Sequence, residues 1–262
     1  RASPQAHPRP PAGAMPPPAW PYPFWIAHRG AGRLAPENTL AAFRLGARHG
    51  YRMFECDAKL SADGVVFLLH DSTLERTTNG QGTAGEQPWA ALAQLDAGGW
   101  HSRAWAGEPI PTLDNLARWC LANHHLLDIE IKPTPGTEAA TGRAVATLAA
   151  RLWQGAAVPP LLTSFQTEAL RAARQVAPQL PRGLLLDTLW DGWLAAARQL
   201  DCAAIVCNHA LWDAATVSQV KAAGLRALSY TVNDAWAAER LMALATDGIV
   251  TDRVDLFSPA SR

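Results

Sequence analysis

Three ionisable side chains are brought together by the stretch from Met53 to Asp71, which reads MFECDAKLSADGVVFLLHD. Apolar-rich runs flank Asp63-Gly64, and an Asp-Gly pair between such runs indicates a tight β-hairpin. A two-residue turn predicts that Asp57 lies opposite His70, while Glu55 faces the same side because strand side chains alternate. Carboxylates bind hard divalent cations, and imidazole transfers protons near neutral pH. The stretch therefore predicts a catalytic metal site, with a polar, solvated hairpin face as the alternative.

The elements that must position these residues alternate regularly along the chain. Short apolar runs predict strands at 25–28, in the first limb of the hairpin, and at 126–132, 161–165, 183–187, 204–207, 226–232 and 248–251. Helical patterns start near Asn38, with Asn38 or Thr39 as N-cap, and recur at 112–123, 137–153, 167–177, 190–200, 213–223 and 235–245. Eight strand–helix units predict a parallel sheet that closes into a (β/α)8 TIM barrel. A doubly wound open sheet is the alternative, but no G-x-G-x-x-G follows the first strand.

Two segments depart from this alternation. Residues 1–24 contain nine of the 20 prolines and almost no aliphatic residues, so we expect a Pro-rich, disordered N-terminal extension. Residues from about 72 to 111 form a polar excursion that holds Trp89, Trp100 and Trp105. We expect this excursion to be a small lobe, inserted after the hairpin, that overhangs the barrel mouth. Residues 25–262 are accordingly expected to form one barrel domain.

The composition argues against several classes of function. Because 23 basic residues balance 23 acidic ones, no global basic field attracts nucleic acid or an anionic membrane. No apolar run approaches the roughly 20 residues that span a bilayer. The cysteines form no C-x-x-C pair, which predicts reduced core thiols in a cytoplasmic protein rather than a zinc site. We therefore expect no nucleic-acid partner and no stable membrane association.

Ionisable residues cluster near the predicted carboxyl ends of the first three strands, where TIM barrels carry their active sites. They are His28 and Arg29 after the first strand, Glu55 and Asp57 in the second, and Glu130 and Lys132 in the third. Such charges beside a core are costly unless they pair or bind a ligand. The later predicted strands end in polar or aromatic groups, most of them uncharged: Ser164, Phe165, Asp187, Asn208, His209, Tyr230, Asn233, Thr251 and Asp252.

Five motifs follow one another along the chain: His28-Arg29-Gly30, Pro36-Glu37-Asn38-Thr39, Glu55-x-Asp57, His70-Asp71 and Glu130-Ile131-Lys132. Over roughly residues 25–255 these motifs, with Leu74 to Gly80, Thr163-Ser164-Phe165 and Thr231-Val232-Asn233, make the chain resemble the glycerophosphodiester phosphodiesterase family, in its bacterial cytosolic type. The resemblance implies a (β/α) barrel that hydrolyses glycerophosphodiesters to an alcohol and sn-glycerol 3-phosphate. It also implies one divalent cation, Mg²⁺ or Ca²⁺, and a small-molecule substrate.

The resemblance further implies roles for individual residues. Glu55, Asp57 and Glu130 match the metal ligands, while His28 and His70 match the acid–base pair. Arg29 matches the phosphate-binding arginine and Lys132 its companion, and Phe165 and Tyr230 are expected to contact the substrate. Tyr230 stands where members of the family often carry tryptophan, so the detailed pocket shape is expected to differ.

The chemistry of the residue types agrees with these roles. Three carboxylates suit Mg²⁺ or Ca²⁺ better than zinc, and an arginine can grip a phosphate with two parallel donors. Three other functions stay open at this point. They are a phospholipase D-like hydrolase of lysolipids, a non-catalytic barrel that binds glycerophosphate, and a lyase with Lys132 as a Schiff base.

Overall fold

Nine strands form one sheet in the computed structural model, which describes residues 19–261. They are β1 (Trp25–Ala27), β2 (Met53–Leu60), β3 (Val66–Leu68), β4 (Leu126–Ile131), β5 (Leu161–Ser164), β6 (Arg182–Leu186), β7 (Ala204–Asn208), β8 (Arg226–Tyr230) and β9 (Gly248–Thr251). Eight of them are parallel in the order β1-β9-β8-β7-β6-β5-β4-β2, and β1 pairs with β2 to close the ring. β3 lies antiparallel on β2. The predicted TIM barrel is therefore confirmed.

Helices connect the parallel strands. They are α1 (Leu40–Arg48), α2 (Trp89–Leu92), α3 (Leu113–Ala122), α4 (Glu138–Leu152), α5 (Thr167–Val176), α6 (Trp193–Gln199), α7 (Ala214–Ala222) and α8 (Ala235–Ala243). Three of them begin at side chains that accept a hydrogen bond from the N–H three residues on: Thr39, Thr112 and Asp213. Thr39 is thus the N-cap of α1, which leaves the Asn38 side chain available for another role.

The hairpin of β2 and β3 is shifted by one residue from the predicted register. Ala58 pairs with Leu68, so Asp57 faces Leu69, whose N–H donates to the Asp57 carbonyl at 3.1 Å. The prediction that His70 lies directly opposite Asp57 is therefore wrong. His70 follows the end of β3, where the chain no longer obeys the alternation of a strand.

A three-residue turn causes this shift. The Ser61 N–H donates to the Val65 carbonyl at 2.8 Å, so residues 62–64 form the turn instead of Asp63-Gly64 alone. Gly64 adopts φ +88, the left-handed conformation that ends turns of this length. The Asp63 carboxylate accepts from the Ser61 hydroxyl at 2.6 Å and from the Trp89 N–H at 2.9 Å, which ties the turn to the inserted lobe.

The loop after β1 packs closely against α1. A Cβ atom on Gly46 of α1 would lie 2.1 Å from the Gly30 carbonyl oxygen, so only glycine permits this approach. Gly30 itself has φ +105. The contact fixes the loop that carries His28 and Arg29 at the mouth of the barrel.

Residues 19–24 pack under the barrel, contrary to the prediction that disorder extends to residue 24. Tyr22 and Phe24 are buried, and the Tyr22 hydroxyl donates to the Pro159 carbonyl at 2.8 Å. Trp20 stacks edge-on against Tyr22 at 4.8 Å, and both join the apolar cluster around Ile26. The segment lacks aliphatic residues, but its aromatic rings bury enough surface to hold it. Residues 1–18 lie outside the described residues.

Residues 72–111 form a small lobe between β3 and α3. It contains α2 and two turns of 3₁₀-helix, at Ala84–Glu86 and Arg103–Trp105. Its apolar residues Leu74, Ala84, Leu92, Ala97 and Ile110 form one buried cluster with Phe67 and Leu69 of the hairpin. Trp89 packs on this cluster, and Trp105 packs partly on the barrel core. Trp100 keeps 40% of its surface exposed, which distinguishes it from the other two tryptophans of the lobe.

Two expectations drawn from composition can be compared with the structure. All four cysteines are buried free thiols. Within residues 19–261, no helix combines the length and apolar character needed to cross a membrane.

Candidate active site

Three carboxylates meet at the mouth of the barrel. Glu55 and Asp57 alternate onto one face of β2, and the parallel register places Glu130 of β4 beside Asp57. One oxygen from each side chain lies within 4.8 Å of the others. Their residues are at most 9% exposed. The sequence placed these three side chains near the carboxyl ends of the second and third barrel strands, and the structure brings them together.

The electrostatics of the three carboxylates are unequal. Burial, followed by repulsion from Asp57 and Glu130, raises the pKa of Glu55 well above its usual value. Burial and repulsion from Asp57 also raise the pKa of Glu130. Burial acts in the same direction on Asp57, but Arg29, His70 and Asn38 outweigh it and hold its pKa below the usual value. The group thus concentrates more negative charge than its surroundings neutralise.

The loop between β1 and α1 folds back onto Asp57. Asn38 donates from Nδ2 to Asp57 Oδ2 at 3.0 Å, and its Oδ1 accepts from the Asp57 N–H at 3.1 Å. Arg29 Nε lies 3.4 Å from the same Oδ2, and the Arg29 N–H donates to Glu55 Oε1 at 3.2 Å. Arg29 and Asn38 both adopt positive φ, at 54° and 59°, a conformation that asparagine tolerates better than most residues. Asn38 is therefore a residue of the site. Sequence reasoning missed this role, because an N-cap role was sufficient to explain the residue.

His28 is held by a carboxylate from the opposite end of the chain. Its Nδ1 lies 2.6 Å from Asp252 Oδ1, and Asn233 donates to Asp252 Oδ2 at 3.0 Å. His28 Nε2 points toward the carboxylates, 3.9 Å from Glu55 Oε1. Burial raises the pKa of Asp252, but the hydrogen bond and charge of His28 outweigh it, so the net pKa is lowered. The sequence showed Asp252 only as a polar residue after the last strand.

His70 is held in the same way by its neighbour. Its Nδ1 lies 2.8 Å from Asp71 Oδ1, and Arg76 of the lobe donates to both oxygens of Asp71 at 2.8 and 3.0 Å. Arg76 also donates to both oxygens of Glu37 at 2.8 and 3.0 Å. Burial lowers the pKa of His70, which favours its neutral form. Arg76 thus links the lobe, the β1–α1 loop and the support of His70.

The buried ammonium of Lys59 holds the backbone at His70 and Lys132. Lys59 lies two residues after Asp57 on β2 and has no exposed surface. Its Nζ donates to the backbone carbonyls of His70 and Lys132, each at 2.9 Å. Burial lowers the pKa of Lys59 to about 8. Sequence analysis gave no role to Lys59, because nothing in the local pattern shows which carbonyls it reaches.

A cavity of about 310 Å³, here the barrel cavity, contains the remaining predicted residues. Lys132 Nζ lies 3.8 Å from Glu130 Oε2 and 5.8 Å from the centre of the Phe165 ring. Phe165 and Tyr230 meet edge-on at 5.8 Å, and the Tyr230 hydroxyl donates to the Leu186 carbonyl at 2.9 Å. Eight of the nine predicted site residues line this cavity. The ninth, Asp57, has a carboxylate oxygen within 4.8 Å of oxygens of Glu55 and Glu130, which do line it.

The carboxylates fit a hard divalent cation. The donor set consists of oxygens alone, as Mg²⁺ and Ca²⁺ prefer. Glu130 Oε2 is buried without a hydrogen-bond partner among the described residues. Raised pKa values at Glu55 and Glu130 show that the group gains from an additional positive charge.

Comparisons with known proteins agree with this geometry. The model of the glycerophosphoryl diester phosphodiesterase family matches residues 28–256. A glycerophosphodiester phosphodiesterase of Caldanaerobacter subterraneus subsp. tengcongensis is 32% identical over 234 residues, which are 87% of this chain and 93% of that protein.

Two solved structures are similar in fold and sequence. A phosphodiesterase of Oleispira antarctica, in complex with the product sn-glycerol-3-phosphate, aligns with a TM-score of 0.84 and 34% identity. The alignment covers 92% of this chain and 97% of that one. A glycerophosphodiester phosphodiesterase of Agrobacterium tumefaciens aligns with a TM-score of 0.75 and 32% identity, over 90% of this chain and 99% of that one.

Proposed function

The chain belongs to the glycerophosphoryl diester phosphodiesterase family, and from that premise we propose that it hydrolyses glycerophosphodiesters to an alcohol and sn-glycerol 3-phosphate. One observation carries the proposal: oxygens of three carboxylates lie within 4.8 Å of one another, and two of these carboxylates line the same cavity as two histidines, each paired with a further carboxylate. The solved phosphodiesterase of Oleispira antarctica, which holds sn-glycerol-3-phosphate, supports the choice of product.

Glu55, Asp57 and Glu130 would hold one divalent cation, Mg²⁺ or Ca²⁺. Such a cation, when bound, supplies positive charge that polarises a phosphoryl oxygen and lowers the pKa of an attacking hydroxyl or water. The remaining steps fall to side chains of this chain.

Arg29 binds the phosphate in this proposal, with Lys132 as a second positive charge. Arg29 Nη1 donates to Glu37 at 3.0 Å and Nε faces Asp57 at 3.4 Å, which fixes the guanidinium plane. Its Nη2 has no partner among residues 19–261, so this nitrogen is available to a phosphate oxygen. Arg29 Nε makes no hydrogen bond with these residues either, although it lies 3.4 Å from Asp57 Oδ2. Arg29 is therefore proposed to bind the phosphate through its two parallel donors, Nε and Nη2, and through its charge.

The two histidines transfer the protons. Each uses Nδ1 toward a carboxylate, so Nε2 is the nitrogen left for the substrate. One Nε2 removes the proton of the attacking water or hydroxyl, and the other protonates the leaving alkoxide; where the glycerol hydroxyl attacks first, a water then opens the cyclic phosphate with the same two groups. Asp252 and Asp71 hold the rings in place and stabilise the positive charge that arises on each imidazole.

Phe165 and Tyr230 are proposed to pack against the carbons of the glycerol portion of the substrate. Both line the barrel cavity together with Leu185, Val206 and Val250. The Tyr230 hydroxyl is occupied by the Leu186 carbonyl, so the tyrosine offers the substrate its ring face.

The alternatives fit the site less well. A Schiff-base lysine needs a desolvated amine, whereas the Lys132 side chain is 31% exposed and lies 3.8 Å from Glu130. A purely binding barrel would not need two histidines, each paired with a carboxylate. The balance of charges argues against stable membrane association, the barrel cavity of about 310 Å³ supports a small substrate, and the four buried free thiols support a cytoplasmic location.

Hydrolysis by purified protein tests the proposal. Glycerophosphoglycerol, glycerophosphoinositol and glycerophosphocholine are each incubated with protein and Mg²⁺ or Ca²⁺, and sn-glycerol 3-phosphate is measured. We expect this product from the parent, at least about 10²-fold slower formation by His70→Ala, and parental rates for the exposed control His49→Ala. No sn-glycerol 3-phosphate from any substrate, or equal rates for His70→Ala and the parent, would contradict the proposal.

A further inference from the structure

A second cavity, of about 570 Å³, lies beside the barrel cavity and is called here the lobe-side cavity. Its walls include Arg33 and Glu37 from the β1–α1 loop, and Arg76, Trp100 and His101 from the inserted lobe. The two cavities share three lining residues: His28, Arg29 and Thr231. A molecule bound across His28 and Arg29 can therefore reach into both.

This arrangement matches the shape of a phosphodiester, which carries two ester arms on one phosphorus. The groups proposed to bind the phosphate and move protons, Arg29 and His28, stand where the cavities meet. Apolar rings of Phe165 and Tyr230 in the barrel cavity suit the three-carbon glycerol arm. The other arm, the alcohol that leaves, then extends into the lobe-side cavity.

The carboxylates of the lobe-side cavity are already occupied. Glu37 accepts from Arg29 at 3.0 Å and from Arg76 through both of its oxygens. Asp252 faces His28 at 2.6 Å and accepts from Asn233 at 3.0 Å. A cationic alcohol would therefore find no open carboxylate in this cavity, and the positive charges of the arginines would oppose it.

Two groups of the same cavity remain open to a ligand. Arg33 is exposed, and its guanidinium forms no ion pair or side-chain hydrogen bond within residues 19–261. Trp100 is 40% exposed although its Nε1 is satisfied by the Ala97 carbonyl at 2.9 Å, so its ring surface is what it presents. His101 contacts both Arg33 and Trp100. Its Nε2 lies 2.7 Å from the Arg33 carbonyl oxygen, and its ring meets the Trp100 ring edge-on, with the ring centres 5.6 Å apart.

We infer that the lobe-side cavity binds the leaving alcohol, and that it selects a polyhydroxylated alcohol over one that carries a quaternary ammonium. Arg33 offers donors to hydroxyl oxygens, and the Trp100 ring packs against the carbons that bear them. The inference rests on the proposed function, since it assigns the second arm of the same substrate.

The test compares kcat/KM for glycerophosphoinositol and glycerophosphocholine, which share the glycerol arm and differ in the alcohol. Arg33→Glu replaces the positive charge of Arg33, which lines the lobe-side cavity, with a negative one. Its matched control is Arg103→Glu, an exposed arginine of the same lobe that does not line the cavity. Trp100→Ala is paired with Trp236→Ala, which removes another exposed ring that lines neither cavity.

The parent is expected to favour glycerophosphoinositol by at least about fivefold, the factor of one charge interaction in water-exposed surroundings. Arg33→Glu should shift this ratio toward glycerophosphocholine by about 25-fold, because it removes one repulsion and adds one attraction, while Arg103→Glu leaves the ratio unchanged. Trp100→Ala should raise KM for glycerophosphoinositol, and Trp236→Ala should not.

Several results would overturn the inference. Equal ratios for the parent, Arg33→Glu and Arg103→Glu would show that the alcohol does not meet this cavity, although hydrolysis itself would stand. A loss confined to glycerophosphocholine in Trp100→Ala would show a quaternary ammonium on the ring, bound by cation–π attraction. No hydrolysis of either substrate by the parent would remove the proposed function and the inference with it.

Discussion

Replacement of Lys59 by methionine is the most informative single change outside the proposed catalytic groups. Methionine keeps an unbranched chain of similar length, so the core around β2 stays filled. It removes the ammonium that joins the carbonyls of His70 and Lys132, each 2.9 Å from Nζ. These carbonyls belong to a proposed acid–base residue and to a proposed phosphate-binding residue.

The magnitude follows from what the substitution leaves behind. Two backbone carbonyls lose their partner in a site where Lys59 has no exposed surface. An unsatisfied acceptor costs about 1–3 kcal/mol when it is fully buried, and both of these hydrogen bonds are part-buried, so the free energy of unfolding should fall by about 1–3 kcal/mol in total. A displacement of about 1 Å at a reacting group can cost about 10²-fold, so turnover should fall by a similar factor even where the protein stays folded.

The assay combines urea unfolding with hydrolysis of a glycerophosphodiester under saturating cation. Lys59→Gln, which retains two donors, should recover part of both losses and serves where the methionine variant is too unstable. The matched control is Lys221→Met, because Lys221 also donates to a backbone carbonyl, that of Ala245, but is exposed and distant from the barrel mouth. If Lys59→Met unfolds at the parental urea concentration and keeps parental turnover, the supporting role given to Lys59 is wrong.

Three further predictions concern the surroundings of the site. Asp252→Asn removes the charge that holds His28 Nδ1, so kcat should fall by about 10- to 100-fold with KM little changed; steady-state kinetics check this, and an unchanged kcat would refute it. Gly46→Ala would place a Cβ 2.1 Å from the Gly30 carbonyl, so α1 or the loop must move; denaturant unfolding should show a loss of about 1–3 kcal/mol, and parental stability would show that the approach is not tight. A dispersed long-chain lysophospholipid should be hydrolysed much more slowly than a water-soluble glycerophosphodiester, because the barrel cavity holds only about 310 Å³; comparable rates would point to a lipid substrate.

The sequence alone predicted the frame on which the site is built. Strand–helix alternation and apolar periodicity located every parallel strand to within a few residues, because burial against a barrel wall demands that pattern. Once the barrel was expected, the carboxyl ends of its strands indicated where charged residues would meet. Glu55, Asp57 and Glu130 converge for that reason, and the parallel register of β2 and β4 places two of them side by side.

The supporting contacts could not be predicted, because they join residues that are far apart in the chain. Asp252 meets His28 across 224 residues, and Arg76 reaches Glu37 across 39. No local pattern reports such pairs. The hairpin register failed for a different reason: Asp63-Gly64 suits a two-residue turn, but Ser61 and Val65 close a three-residue one. His70 reaches the cavity all the same, since it lies beyond the end of β3.

The N-terminal boundary shows the limit of reasoning from composition. Proline-rich segments with few aliphatic residues are usually extended and solvated. Tyr22 and Phe24 nevertheless bury their rings against the barrel, because an aromatic side chain buries a large apolar area from a single position. The prolines on either side of Tyr22 are compatible with an extended path under the strands.

Cation dependence measured on the parent and on Glu55→Gln tests whether the three carboxylates form a metal site that the reaction requires. Both proteins are stripped with a chelator, titrated with Mg²⁺ or Ca²⁺ by calorimetry, and assayed for release of sn-glycerol 3-phosphate at each cation concentration. We expect the stripped parent to be inactive and to recover with cation. Because Glu55 contributes one of three converging carboxylates, Glu55→Gln should bind the cation at least about 10-fold more weakly and recover less activity. Full activity of the stripped parent, or equal cation affinity and turnover in the two proteins, would contradict the proposed metal site.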